Sequence, residues 1–307
     1  MNTKWTSANI GSQSGKTVII TGANSGLGLE AAKVLSQKEA TVIMAVRNMD
    51  KGQKVLNTIL TNNPNAKVEL MELDLANIES IRNFANNFKN KYRNIHILLN
   101  NAGVMWPPKR VGTKQGWESQ FGVNHLGHFA LTSLLLDILT ATPNSRVVNQ
   151  SSIAHRMINQ LNFNDLNWNK SYSKSKAYAQ SKLANLLFTY HLQKKLSENN
   201  CSTIAVACHP GVSTTNLFRS SAKIVRWGSQ QVGQKAEFGA LPMLRAATEE
   251  GLKGGEFFGP RGFLEFTGHP KHVSSNKLSN DSTLAEKLWE ASETLTETPF
   301  AFNGCAN

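Results

Sequence analysis

Tyr178 and Lys182 are the two residues of this sequence whose types and spacing most directly suggest chemistry. They stand four residues apart in the stretch KAYAQSKLAN, which covers residues 176–185. In a helix, residues at this spacing lie on one face, one turn apart. A phenol beside an ammonium group can serve as an acid–base catalyst, because the positive charge favours the phenolate. A surface pair that arose by chance has the same spacing, so the choice depends on the rest of the chain.

Short runs rich in β-branched residues alternate with longer amphipathic runs from Lys16 onward. This alternation predicts an α/β fold with a Rossmann-type, doubly wound parallel sheet in a single domain. The predicted core covers about residues 16–215, and a substrate lid with a C-terminal region covers 216–307. Strands are predicted at residues 17–22, 40–46, 67–75, 95–103, 145–152 and 202–211. Helices are predicted at residues 28–39, 77–91, 117–139, 178–197, 239–250 and 283–295.

A glycine-rich turn, TGANSGLG at residues 21–28, follows the first predicted strand. Many α/β proteins bind the pyrophosphate of a dinucleotide at such a turn between a strand and a helix. Gly22 permits a tight turn, Gly26 lets the backbone approach the phosphates, and Gly28 allows the helix to pack closely on the strand. The other predicted contacts of this turn are Asn24, Ser25 and Leu27.

Arg47 follows the second predicted strand, where the adenosine ribose of a dinucleotide would lie. NAD-specific sites usually have an acidic residue there, whereas an arginine suits the 2′-phosphate of NADP. The sequence therefore favours NADP(H) over NAD(H), although a solvated surface arginine would give the same pattern. Asp74 and Leu75, near the end of the third predicted strand, are expected at the adenine.

Composition and charge exclude several classes of protein. The chain has 307 residues, 40% of them hydrophobic and 18% charged, which is typical of a globular domain. Its net charge is +12, but the basic residues are scattered and form no nucleic-acid-binding motif. The first residues lack the apolar core of a signal peptide, and no apolar run is long enough to span a bilayer. These features predict a soluble cytoplasmic protein that binds small molecules and no nucleic acid.

The cysteines and histidines suggest neither a disulfide framework nor a metal site. The cysteines, at positions 201, 208 and 305, are too few for a framework and favour a reducing compartment. The histidines at 125, 128, 155 and 209 show no metal-binding spacing. We therefore interpret these histidines as structural or surface residues.

Six motifs in a fixed order resemble those of the short-chain dehydrogenase/reductase family, and in particular its retinol-dehydrogenase-like branch. They are TGxxxGxG (21–28), NNAG (100–103), VNHLGHF with Asn124, SS (151–152), YxxxK (178–182) and PG (210–211). The resemblance covers residues 16–215 and depends on the order and spacing of the motifs. The later stretches GEFFGPRGFLEF and LAEKLWEASETLT are similar to the tails of bacterial members of that branch.

The resemblance implies an NADP-dependent oxidoreductase that interconverts a carbonyl and an alcohol. The catalytic tetrad that it implies is Asn124, Ser152, Tyr178 and Lys182. Further cofactor contacts that it implies are Asn101, Ala102, Gly103, Pro210, Gly211 and Thr215, together with Tyr178 and Lys182. Ser152 is chosen over Ser151 because the family's catalytic serine is normally the second of such a pair.

Each member of this tetrad has an expected physical role. Lys182 is expected to lower the pKa of Tyr178 and to bond the nicotinamide ribose. Coulomb's law at about 5 Å and an effective dielectric constant of about 20 gives roughly 3 kcal/mol, or about two pKa units. Ser152 is expected to hydrogen-bond the substrate oxygen, and Asn124 to hold a water that links Lys182 to solvent.

Two other functions stay open at this point. One is a catalytically silent NADP-binding regulatory or scaffold protein, against which the intact tetrad argues. The other is a light-driven protochlorophyllide-type reductase, which the branch resembles but which typically lacks the catalytic serine.

The substrate and the partners are less defined by the sequence. Residues 214–238 include Leu217, Phe218, Ile224, Val225 and Trp227, which predict either a lid over a mainly apolar substrate or a surface that rests on a membrane. Residues 155–176, an insert between Ser152 and Tyr178, are expected to wall the substrate pocket. The resemblance also leaves open a homodimer that pairs through helices of the core.

Overall fold

The computed structural model describes residues 4–212, 234–302 and 305 of the chain. The strands in this part are β1 Thr17–Thr21, β2 Thr41–Val46, β3 Val68–Glu72, β4 Ile97–Asn100, β5 Arg146–Gln150, β6 Ile204–Cys208, β7 Phe257–Pro260 and β8 Pro270–His272. The α-helices in this part are α1 Gly26–Gln37, α2 Met49–Asn62, α3 Ile78–Lys91, α4 Ser119–Phe121, α5 Gly127–Leu134, α6 Leu136–Ala141, α7 Lys174–Glu198, α8 Ala236–Thr248 and α9 Ser282–Thr296.

All of these strands belong to one sheet, in the order β3-β2-β1-β4-β5-β6-β7-β8. Strands β1 to β7 are parallel, and β8 pairs antiparallel with β7 at the edge. The strand order reverses between β1 and β4, because β2 and β3 lie on one side of β1 and the later strands on the other. This is the Rossmann-type, doubly wound sheet that the sequence predicted, in a single domain.

Both faces of the sheet are covered, because successive side chains of a strand point to opposite sides. Val18 and Ile20 of β1 pack with apolar residues of α1 and α8 on one face. Ile19 packs with residues of α3 and α5 on the other face. This double burial explains why the central strands read as continuous apolar runs rather than alternating ones.

The six predicted strands are confirmed as β1 to β6, each shorter than predicted. The sequence missed β7, because residues 254–263 read as a glycine-rich turn, and it missed β8, which has only three residues. Strand β7 is the tetrapeptide FFGP, which is too short and too rich in glycine and proline for a periodicity argument. At Gly259 of β7, an added Cβ would lie 2.1 Å from Nε2 of His209, so the glycine is required by packing.

The helix predicted over residues 117–139 is interrupted. Between α4 and α5 the backbone forms a π-helical turn over Gly122–Leu126, closed by a hydrogen bond from the Gly127 N–H to the Gly122 carbonyl. Gly127 packs so closely on the loop after β3 that an added Cβ would lie 2.6 Å from the Leu75 carbonyl oxygen. Such π turns often occur at functional sites, and this one contains Asn124.

Helix α7 is the longest described helix, with 25 residues. The sequence predicted a start at Tyr178 and a polar loop over residues 170–176, but the helix begins at Lys174. Residues 177–189 are all buried, because α7 packs against α9 on one side and against β5, β6 and the turn Ile153–Met157 on the other. Neither α7 nor any other helix in the described part of the chain is long and apolar enough to cross a membrane.

One disulfide joins Cys201, after α7, to Cys305 near the C-terminus, with Cα atoms 4.8 Å apart. Cys208 at the end of β6 is a free, buried thiol. A single bridge is not a framework, but it runs against the reducing compartment that the cysteine count favoured. The sequence could not show this pairing, because the two cysteines are 104 residues apart.

Candidate active site

The predicted site motifs converge at the carboxyl ends of the central strands. The glycine turn follows β1, NNAG overlaps the end of β4, the serine pair follows β5, and PG follows β6. The change in strand order between β1 and β4 leaves a crevice at this edge, where α/β sheets bind ligands. Thr215 and the apolar residues Leu217, Phe218, Ile224, Val225 and Trp227 lie outside the described residues.

The glycine turn has a backbone that other residues could not adopt without strain. Gly22 and Gly26 have φ angles of +69° and +57°, in the left-handed region. An added Cβ on Gly28 would lie 2.5 Å from Asn101 Nδ2 and 2.8 Å from the Gly22 carbonyl oxygen. Ser25 is the N-cap of α1, yet its hydroxyl does not cap the first turn, which leaves the amides there available to an anion. This turn fits the pyrophosphate of a dinucleotide. Asn24 and Leu27 lie partly exposed in the same turn.

Thr21 connects this turn to the NNAG segment, a role that the sequence prediction missed. Its hydroxyl oxygen accepts hydrogen bonds from the N–H groups of Asn101 and Ala102, both at 2.9 Å. The Asn101 side chain donates back to the Thr21 carbonyl at 2.8 Å. Thr21 stands directly before Gly22 in the motif, and that adjacency is the signal that could have identified it.

The residues predicted near the adenosine end lie at the ends of β2 and β3. Arg47 is exposed in the bend directly after β2, and Asn48 caps α2 by accepting the Lys51 N–H at 2.8 Å. Asp74 lies in the turn after β3, where one carboxylate oxygen accepts the Ala76 N–H at 3.0 Å. Leu75 beside it is buried.

Tyr178 and Lys182 are both buried, at 6% and 3% exposure, on the side of α7 that faces the sheet edge. The Lys182 Nζ atom lies 5.6 Å from the centre of the Tyr178 ring. The Ser152 hydroxyl lies close enough to the Tyr178 phenol to lower the pKa of that phenol. The structure therefore brings three of the four predicted catalytic residues into one cluster.

The two neighbouring serines have different partners. The Ser151 hydroxyl donates to the Lys182 carbonyl at 2.8 Å, which attaches β5 to α7. Ser152 is the N-cap of the 3-10 turn Ile153–Met157, and its hydroxyl oxygen accepts the Ala154 N–H at 3.2 Å. Only Ser152 therefore presents its hydroxyl to the phenol.

The pKa of the Tyr178 phenol is raised by its surroundings in the protein, whereas the sequence led us to expect a lowered pKa. Burial raises the pKa of Tyr178 to about 12, although the nearby Ser152 hydroxyl acts in the opposite direction. Burial also lowers the pKa of Lys182 to about 8. The expectation from Coulomb's law was wrong because it omitted desolvation, which disfavours both charged groups.

Gln150, the last residue of β5, holds the Lys182 side chain. The Gln150 carbonyl oxygen accepts hydrogen bonds from Lys182 Nζ and from Asn185 Nδ2, both at 3.0 Å. The sequence did not point to Gln150, because it acts through its backbone.

The Asn124 side chain is held by hydrogen bonds to protein groups, and its expected role in holding a water stays a prediction. Its side-chain oxygen accepts the Val104 N–H at 2.8 Å, and its amide nitrogen donates to the Val104 carbonyl at 3.0 Å and to Ser181 Oγ at 2.9 Å. The side chain thus ties the segment after NNAG to α7. Gly103 lies against it, since an added Cβ would be 3.1 Å from Asn124 Oδ1 and 3.8 Å from Lys182 Nζ.

The His128 ring lies between Asn124 and Thr21, within hydrogen-bonding distance of both. Its Nδ1 atom lies 3.0 Å from the Asn124 carbonyl oxygen, and its Nε2 atom lies 2.9 Å from the Thr21 hydroxyl. It therefore joins the π-helical turn to the glycine turn. The four histidines singled out in the sequence are all buried: His125, His128, His155 and His209. Within the described ranges, no group of three metal-binding side chains could hold a metal ion.

Apolar side chains flank the Tyr178 phenol. Met105 and Ala154 form a buried cluster with Tyr178, and Trp106 packs against it with its ring centre 6.5 Å from that of Tyr178. Part of the segment 155–176 packs into the core, because Leu161 and Leu166 contact the apolar cluster of α7. The role of this segment as a wall of the substrate pocket stays a prediction.

Comparison with known proteins finds relatives that match nearly the whole chain in sequence and in structure. The short chain dehydrogenase family model matches residues 16–224. Retinol dehydrogenase 12 of Homo sapiens is 41% identical over 280 residues, 91% of this chain and 85% of that protein. The chloroplastic short-chain dehydrogenase TIC 32 B of Brassica napus is 40% identical over 293 residues, 92% of this chain and 88% of that protein. The crystal structure of an uncharacterized protein from Mycobacterium Paratuberculosis has a TM-score of 0.82 and 42% identity, covering 97% of this chain and 100% of that one.

Proposed function

The chain belongs to the short-chain dehydrogenase family, and from that premise we propose that it is an NADP(H)-dependent enzyme acting on a mainly apolar substrate. Membership of this family makes the protein an oxidoreductase that uses NAD(P)(H) to interconvert a carbonyl and an alcohol. The preference for NADP(H), the apolar substrate and the assignment of the four catalytic residues are the proposal.

The observation that carries the proposal is the buried cluster of Ser152, Tyr178 and Lys182 at the reversal of strand order. Two hydroxyl groups and an ammonium group there can face one carbonyl oxygen. A structural role as the N-cap of the turn Ile153–Met157 accounts for the Ser152 hydroxyl as an acceptor, but it does not account for the phenol buried beside it.

Each catalytic side chain has a distinct role in carbonyl reduction. Bound NADPH would supply the hydride. Tyr178 donates its phenolic proton to the carbonyl oxygen, and Ser152 donates a hydrogen bond to the same oxygen. Lys182 keeps a positive charge near the phenolate that forms, since its Nζ atom lies 5.6 Å from the centre of the Tyr178 ring, and this charge favours the phenolate. Asn124 holds the segment after NNAG against α7, so that these groups keep their positions.

Arg47 supports the choice of NADP(H). It is exposed directly after β2, and it has the charge and geometry to bind a 2′-phosphate. Asp74 and Leu75 lie after the neighbouring strand β3, where the adenine would contact them. Pro210 and Gly211 follow β6 and would contact the nicotinamide end.

The apolar substrate is supported by Met105, Trp106 and Ala154 around the phenol. The name of the related human retinol dehydrogenase, whose substrate is apolar, supports it too. A panel of apolar aldehydes and ketones, followed by loss of NADPH absorbance, tests the proposal. We expect turnover of at least one member; NADPH binding without turnover of any carbonyl would contradict it.

Activity is expected to fall as the pH rises through about 8. Burial lowers the pKa of Lys182 to about 8, so its ammonium form, which bonds the ribose, is present below that pH and lost above it. The kcat/KM for NADPH reports ionisations of the free enzyme, and should therefore be flat at pH 6.5 to 7.5 and decline above pH 8. The 2′-phosphate titrates near pH 6 and does not interfere. In Lys182→Arg the charge persists, so the decline near pH 8 should disappear; a decline that stays would assign it to another group.

Two further aspects of the proposal concern location and assembly. A cytoplasmic location stays a prediction, against which the Cys201–Cys305 disulfide argues, and fractionation of cells would test it. A homodimer stays a prediction, and α9 already covers part of α7, so pairing through that helix would need a different face. Contact of the protein with a membrane surface is likewise a prediction, which vesicle flotation would test.

A further inference from the structure

Two buried histidines connect the candidate site to the hairpin of β7 and β8. His155 and His209 are both 0% exposed. Their rings lie on Phe257 of β7, with ring centres 5.7 and 5.2 Å away. The catalytic roles proposed above use neither histidine.

His209 links Glu265 to the PG turn, which we define as Pro210–Val212. Its Nδ1 atom accepts the Gly211 N–H at 3.2 Å, so the neutral ring carries its proton on Nε2. That Nε2–H donates to a Glu265 carboxylate oxygen at 2.9 Å. Burial lowers the pKa of His209, which keeps the ring neutral near pH 7. The carboxylate therefore selects the tautomer that holds the Gly211 amide.

The PG turn also rests directly on the hairpin. Gly211 has a φ of +67°, and an added Cβ would lie 2.2 Å from the Phe266 carbonyl oxygen. The Val212 N–H donates to that same carbonyl at 2.8 Å. The position of this turn therefore depends on residues 265–266.

The same carboxylate has a second partner in the serine segment, which we define as Ser152–Met157. Arg156 Nη2 lies 3.1 Å from both carboxylate oxygens of Glu265, and it also donates to the Ser274 carbonyl at 2.9 Å. His155 Nδ1 lies 2.6 Å from the Ser152 carbonyl oxygen. The serine segment and the PG turn are therefore held by the same hairpin.

Glu265 occupies an unfavourable backbone conformation. Leu264 and Glu265 have φ angles of 49° and 59°, a left-handed conformation that is costly for two successive residues other than glycine. Burial raises the pKa of Glu265, but hydrogen bonds from His209 and Arg156 and the positive charge of Arg156 outweigh it and lower the pKa to about 2. The carboxylate is thus ionised at neutral pH and held by both partners.

We propose that Glu265 is a positioning residue for the NADP(H) reaction. Its carboxylate holds the PG turn through His209 and the serine segment through Arg156, and so sets the two parts of the site against one hairpin. The inference rests on the proposed function and adds to it a residue that acts through its neighbours.

Three variants separate the two connections. Glu265→Ala removes both. His209→Gln keeps a donor toward Glu265 but removes the acceptor for the Gly211 amide. Arg156→Met removes only the connection to the serine segment and keeps an unbranched side chain. The measurements are the Kd for NADPH from its fluorescence, kcat and KM at saturating NADPH, and Tm from calorimetry.

The two connections should have different kinetic signatures. We expect His209→Gln to raise the Kd for NADPH about tenfold with little change in kcat, since a lost hydrogen bond to a site backbone costs about that factor. Arg156→Met should lower kcat about tenfold and leave the Kd unchanged. Glu265→Ala should show both effects. The matched control is Glu69→Gln. Glu69 is on β3, away from the site, and its carboxylate accepts hydrogen bonds from Lys91 and Tyr92. This variant should change neither the Kd for NADPH nor kcat.

The outcomes that overturn the inference are distinct from failure of the proposed function. Wild-type values of Kd and kcat in Glu265→Ala would overturn it, as would equal changes of Kd and kcat in all three variants together with a lower Tm. If Glu265→Ala does not fold, Glu265→Gln provides the test: it keeps an acceptor for His209 and should lower kcat with an unchanged Kd, and a wild-type kcat would overturn the inference. A wild-type protein that fails to bind NADPH refutes the proposed function, and this inference with it.

Discussion

Replacement of Tyr178 by phenylalanine is expected to lower carbonyl reduction about a thousandfold while NADPH still binds with wild-type affinity. The proton that the carbonyl oxygen needs comes from this phenol, and loss of a general acid costs on the order of 10²- to 10⁴-fold. The ring itself remains, so the buried packing with Met105 and Ala154 is preserved. Steady-state kinetics and direct NADPH titration measure the two quantities separately.

Tyr190→Phe is the matched control for this prediction. Tyr190 is on the same helix and also donates its hydroxyl, to Ser275 at 2.9 Å, but it lies three turns beyond Tyr178. Its loss should leave turnover close to wild type. If Tyr178→Phe kept full activity, the assignment of the acid would be wrong. If both the variant and the wild type bound NADPH without reducing any carbonyl, the scaffold function would be favoured.

Replacement of Arg47 by aspartate is expected to change the ratio of kcat/KM for NADPH to that for NADH by about a hundredfold or more in favour of NADH. The substitution removes a charge-assisted bond to the 2′-phosphate, worth about 1.5–3 kcal/mol, and puts a repelling carboxylate in its place. That carboxylate can instead accept hydrogen bonds from the free ribose hydroxyls of NADH. Kinetics with each cofactor, under one carbonyl substrate, give the ratio.

The change in net charge must be separated from the local effect of Arg47. Arg93→Asp makes the same change of charge at another exposed arginine. Arg93 lies before β4, at the amino ends of the parallel strands, whereas Arg47 lies at their carboxyl ends. This control should leave the cofactor ratio unaltered. An unchanged ratio in Arg47→Asp would show that the arginine is only a solvated surface residue.

The glycines and the motif order could be interpreted from the sequence because they reflect local requirements. Gly22 needs a left-handed φ and Gly28 a space without a Cβ, and in both cases the residue type itself signals the need. The alternation of strands and helices is likewise a local property of apolar periodicity, and it was sufficient for β1 to β6. It failed for β7 and β8, where short strands with glycine and proline carry no period.

The supporting residues of the site were not visible in the same way. Gln150 holds Lys182 through a backbone carbonyl, which leaves no trace in the residue type. Glu265 reaches His209 across 56 positions of the chain and Arg156 across 109. Such contacts depend on how distant segments pack, and a single sequence does not report that.

The sequence by itself determined the order of the motifs that follow the strands, the family resemblance, and which side chains could exchange a proton. Only the tertiary structure decided their electrostatic state. The spacing of Tyr178 and Lys182 suggested an acidic phenol, but burial among Met105, Trp106 and Ala154 raises the pKa of Tyr178 to about 12. Desolvation depends on every element packed around a group, whereas spacing along one helix depends on that helix alone.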